Sequence, residues 1–65
     1  MTREELDKEL HAIALARVAG TEPLEINELA TALSHRCVFG VPWIKANTKK
    51  RAQEIHERRR REAAE

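Results

Sequence analysis

Large apolar side chains recur at intervals of three and four in three separate stretches of this chain, and after Ile55 there are none. A chain patterned in this way buries its apolar surface as helices packed on one another, since a half-buried strand would need alternation at every second residue. In the first stretch Leu6, Leu10, Ile13 and Arg17 share a face, with Ala14 and Val18 beside it. The second carries Ile26, Leu29, Ala30 and Leu33 at i, i+3, i+4 and i+7. In the third, Val41, Ile44, Thr48, Ala52 and Ile55 form a stripe about 80° wide at about 100° per residue.

Helix signals bracket each stretch. Thr2-Arg3-Glu4-Glu5 reads as a capping box, in which the Thr2 hydroxyl takes a first-turn N–H and Glu5 reaches back to the Thr2 N–H. Glu4, Glu5 and Asp7 suit the positive end of the helix dipole. Helix 1 is therefore expected over about residues 3–19, stopped by Gly20, because the residue just past a helix end often needs positive φ. Its other side carries His11, Leu15 and Ala19, which opens a second direction of contact.

Thr21-Glu22-Pro23 is expected to connect, since proline disfavours helical backbone in the residue before it. Helix 2 is expected over Leu24 to Leu33, with Leu24 off the stripe and packing from the connector. Ser34 to Gly40 breaks the pattern, and within it Val38 and Phe39 are expected to plug the core between helices. Pro42 suits the first position of a third helix, where a missing N–H costs nothing. His56 to Glu65 has helix-favouring residues and no large apolar one, so it projects as a solvated extension or frays. The expected architecture is all-α: a compact three-helix domain over residues 1–56, with residues 57–65 as a charged tail or helix extension.

Sixty-five residues make one domain near the lower limit for independent folding. A core of this size typically supplies about 3–5 kcal/mol net, so a partner or self-association would help. An enzyme cleft of several hundred Å³ is hard to enclose in so little protein, and no catalysis is expected. The single cysteine, Cys37, excludes an internal disulfide and makes a reducing, intracellular setting the simpler reading. No apolar run reaches the roughly 20 residues of a membrane span, and the charged N-terminus lacks the apolar core of a signal peptide. A cytoplasmic or nucleoid-associated protein with no membrane partner is expected.

A net charge of +1 hides a segregation. Residues 1–35 carry three Lys/Arg against seven Asp/Glu, a balance of −4, whereas residues 36–65 carry nine against four, a balance of +5. The second half therefore suits an anionic partner. The structural alternative is a salt-bridged, solvated helix, because Glu54 and Glu57 are interleaved with the basic residues.

Glu28-Leu29-Ala30-Thr31-Ala32-Leu33, a turn, and then Val41 and Ile44 resemble the helix-turn-helix DNA-binding motif. In that family the first helix carries an apolar residue, a small residue beside it and a second apolar residue one turn on, which Leu29, Ala30 and Leu33 match. The small residue lets the two helices approach closely, and the second helix presents apolar residues three apart, here Val41 and Ile44. The resemblance covers residues 26–51 and implies a reading helix from about Pro42. Two positions depart from the pattern. Ser34 stands where glycine is usual, and the Val41/Ile44 pair arrives one residue late. Trp43, Asn47 and the basic residues after them loosely resemble the third helix of homeodomains, but there the asparagine comes one position earlier and a basic arm leads the chain. The match is to the generic motif.

Under that resemblance Lys45, Lys49, Lys50 and Arg58, Arg59, Arg60 and Arg61 would neutralise phosphates. Asn47 and Gln53 have the amide groups that read adenine, and Lys49 or Arg51 can contact guanine. The four consecutive arginines wrap all sides of a helix, which suits a nonspecific phosphate clamp, a tail or an acidic protein groove. Trp43, the only tryptophan, is expected to anchor the entrance of helix 3 against Phe39 or helix 1. The leading expectation is a small DNA-binding regulator with duplex DNA as partner, functioning as a homodimer because one reading helix makes few base contacts. The rival is a small helical protein-binding module, an inhibitor or adaptor of a larger protein, that docks through an apolar patch of Val38, Phe39 and Trp43, with an acidic protein surface as partner in place of DNA. An oligomeric structural protein with a helical spacer is a third reading. His35 and Cys37 are two apart with no further ligand pair, so no metal and no cofactor is expected. They also lack the third orienting group of a nucleophilic pair. Glu4, Glu5, Asp7 and Glu9 read as helix N-terminal charge.

Overall fold

The computed structural model describes residues 1–64. Three helices follow in order, α1 (Arg3–Val18), α2 (Pro23–Ser34) and α3 (Val41–Ala64), with no strand among the described residues. The all-α three-helix architecture is thus as the periodicity dictates. The Thr2 hydroxyl accepts the Glu5 N–H at 3.2 Å, fixing the start of α1. At its end Gly20 takes φ +89°, a conformation that only glycine adopts without strain.

Pro23 is the first residue of α2, where the connector was expected to continue. The reason is the same one that favours Pro42 near the start of α3: a first-turn N–H has no intrahelical acceptor, so proline loses nothing there. Val41 precedes Pro42 into α3.

The core is a single cluster in which Leu6, Leu10 and Ile13 of α1 meet Ile26, Ala30 and Leu33 of α2 and Ile44 of α3. Alanines close it. Ala14 and Ala30 are fully buried and Ala52 nearly so, and side chains of one carbon let helix backbones approach where a leucine would hold them apart. Thr48 is also fully buried. Its hydroxyl donates to the Lys45 carbonyl at 3.1 Å, so its burial leaves no unsatisfied polar atom.

Two apolar residues expected to pack, Val38 in the core and Leu24 from the connector, are outside. Val38 is 95% exposed and Leu24 66% exposed. Six residues span the end of α2 to the start of α3, and only one side of that short loop can face the core. Phe39 and Cys37 take the inner side and pack against the cluster. Leu29 sits at the margin of the α2 stripe, 45% exposed, because it lies about 60° from Ile26 on the helix circumference.

A polar link ties α3 to α1 beside the core. The Arg51 guanidinium donates to Asp7 Oδ1 at 3.0 Å, and its Nε donates to Asn47 Oδ1 at 3.0 Å. Asn47 thereby holds the guanidinium in plane for Asp7. Beyond Ile55 every described residue of α3 is exposed, and the helix continues as a lone rod of about 1.5 Å per residue.

Two outcomes test this packing. Ile44→Ala should cost about 2–5 kcal/mol. Against a net stability of about 3–5 kcal/mol that removes much or all of the margin, visible as a lowered urea midpoint and, at the upper end of the cost, as loss of helical circular dichroism at 25 °C. A double-mutant cycle with Asp7→Asn and Arg51→Gln in urea denaturation should give a coupling of about 0.2–1 kcal/mol, reduced by salt, since Asp7 is half exposed.

Candidate nucleic-acid interface

The solvent side of α3 follows from its buried side. With Ile44, Thr48 and Ala52 buried and spanning about 80° of the circumference, the residues that face out lie beyond the edges of that stripe. Lys45, Ala46, Lys49, Lys50 and Gln53 all do, and all are exposed. They cover an arc about 140° wide at about 100° per residue. Pro42, Ala46 and Gln53 run along its middle, Lys45 and Lys49 along one edge, and Lys50 along the other. Ala46 leaves the middle of the arc open to a close approach, and the lysines stand at its edges. Glu57 closes the far end of this arc and Glu54 lies beyond its Lys50 edge, so no carboxylate interrupts the three lysines.

Asn47 and Arg51 are placed elsewhere. Both are half-buried on the α1 side of α3 and are engaged with each other and with Asp7. They support the helix from behind. Arg58, Arg59, Arg60 and Arg61 are exposed on the free rod of α3 and point in four directions about 100° apart.

One basic residue joins the face from another helix. Arg17, half-buried in the last turn of α1, lines a cleft of about 280 Å³ with Lys45 and a second of about 230 Å³ with Lys49, Gln53 and His56. No ion-pair partner for Arg17 occurs among the described residues. On the sequence it sits on the apolar stripe of helix 1, four residues after Ile13, which is what concealed it. A charged residue on such a stripe buries its stem and carries its head to the edge of the neighbouring helix, and that rule is the signal that could have found it.

The residues of the rival reading gather at the opposite flank of α3. Phe39 and Trp43 are stacked, with ring centroids 3.8 Å apart and planes at 12°, and both are half-buried against the core. This is the anchoring contact expected of Trp43. Phe39 and Val38 form one wall of a groove of about 420 Å³ whose other wall is Met1 to Arg3 and Leu6. Its charged lining is Arg3 and Arg36, with His35 beside them and no carboxylate. Cys37 faces the same groove and its thiol donates to the Phe39 carbonyl at 3.7 Å, a local turn contact.

No helix among the described residues is long and apolar enough to cross a membrane. No family model, curated protein or solved structure matches the chain.

Proposed function

We propose that the protein binds duplex nucleic acid, with DNA the expected form, through the exposed face of α3. The observation that carries this reading is the uninterrupted set of Lys45, Lys49 and Lys50 around Ala46 and Gln53, all exposed on one side of a helix whose opposite side is buried. A helix of this kind fits the major groove, where alanine can touch a thymine methyl and glutamine can pair with adenine. The lysines at the edges meet the phosphates on either side of the groove. Arg17 extends the cationic edge onto α1. The arginines of the α3 rod add sequence-independent attraction. Fully buried Ala30 and Ile44 are the residues through which α2 and α3 would form a helix-turn-helix pair, with α2 bracing the reading helix. A regulatory role follows from the proposal as binding without catalysis.

A second reading rests on the Val38–Phe39 groove. Its cationic lining and apolar wall suit an acidic protein segment that inserts one large side chain.

In fluorescence anisotropy with a labelled 20-base-pair duplex, affinity should fall steeply with salt, with the log–log slope reduced by about 0.9 for each phosphate contact removed. Lys45→Glu with Lys49→Glu should weaken binding more than tenfold and leave helical content unchanged. Replacing Arg58 to Arg61 with glutamine should lower the salt slope while preserving any sequence preference. The absence of duplex binding at 20 mM salt, with Val38→Asp abolishing capture of an acidic peptide, would transfer the function to the groove.

A further inference from the structure

One exposed flank of α2, beside α1, carries a pattern that the nucleic-acid reading does not use. Glu25, Leu29, Ala32 and Arg36 follow one another at intervals of four, three and four. On a helix these positions fall within about 60° of one another. Past the end of α2 the chain tightens into a turn, with His35 at φ −74°, ψ −15° and the Arg36 N–H bonded three residues back to the Leu33 carbonyl at 2.9 Å. Arg36, in this closing turn, lies near the line that Glu25 begins. All four residues are exposed. Leu29 is one of only five large apolar side chains left 38% exposed or more among the described residues.

The order of these residues makes the line complementary to its own reverse. Set antiparallel to a second copy, about a two-fold axis midway between Leu29 and Ala32, Glu25 faces Arg36 of the other chain and Leu29 faces Ala32. Each contact then occurs twice, as an isologous interface requires. The central leucine–alanine steps let the two helices approach, and the outer charge pairs fix the register and the antiparallel sense. The intramolecular competitor is weak: Arg36 lies 3.7 Å from Glu9 with both side chains about half exposed, so the guanidinium is free to turn to a new carboxylate.

We propose that the protein self-associates through antiparallel pairing of two α2 helices, with Glu25–Arg36 charge pairs flanking a Leu29–Ala32 contact. The partner is a second copy of this chain, because the face supplies both halves of its own complement. One helix pair buries less than a standard interface, so the dimer is weak in isolation. Its existence does not depend on the nucleic-acid reading, although two linked reading helices would bind a duplex more tightly than one.

Sedimentation equilibrium of the full chain without nucleic acid, loaded from about 10 μM to about 1 mM, should show a monomer–dimer equilibrium. Glu25→Arg alone and Arg36→Glu alone should each raise the dimer dissociation constant more than tenfold, and the double variant should restore it. Mixing the two single variants should give a heterodimer, since each then supplies the charge that the other lacks. Leu29→Lys should abolish association while circular dichroism stays native. A chain that remains monomeric at about 1 mM, or a dimer indifferent to the single reversals or not rescued by the double one, would overturn the proposal. Anisotropy on duplex DNA with a charge-neutral Leu29→Gln variant separates the two ideas: retained basal binding with lost dimerisation leaves the α3 reading intact.

Discussion

The close approach of three helices over Ala14, Ala30 and Ala52 is the constraint on which everything else depends. Ile44 and Thr48 are fully buried, as are Ala14 and Ala30 on the neighbouring helices, whose one-carbon side chains permit close approach. Once these positions are inside, the rotation of α3 about its own axis is fixed, and with it the side that meets solvent. Lys45, Lys49 and Lys50 owe their shared exposure to this rotation more than to any property of their own. A bulkier side chain at Ala30 would push α2 and α3 apart and turn the basic face with respect to α1.

Around this seam, charge does different work at different depths. The Asp7–Arg51–Asn47 link lies at the margin of the core, where water still screens it, so its value lies in orientation more than in energy. It holds the middle of α3 against the first half of α1. Farther out, the lysines and the terminal arginines have no such obligation among the described residues and remain available to an anion. Glu25 and Arg36 fall between these cases, because each is exposed and neither has a strong partner within its own chain.

The separation of surfaces also matters. The basic arc of α3 lies apart from the groove beside Phe39 and from the line on α2, and those two share Arg36. Nearly every residue outside the central cluster touches solvent, so the accessible chemistry of the chain lies on its faces.

By itself the sequence determined the helices, because spacing of three and four and the proline, glycine and threonine signals act over a few residues. It also determined the buried stripe of α3 and the side from which its lysines project. Tertiary structure decided the rest. Asn47 and Arg51 look like contact residues by their side-chain chemistry, yet Asp7, 44 positions before Arg51, recruits them to the scaffold. Arg17 looks like a core position, yet the path of α3 gives its head an exit beside Lys45 and Lys49. Val38 looks like a plug, yet Phe39 fills the inner side of the loop first. Each of these outcomes turns on residues far apart in the chain competing for the same space or the same charge, and periodicity carries no information about which of them will meet.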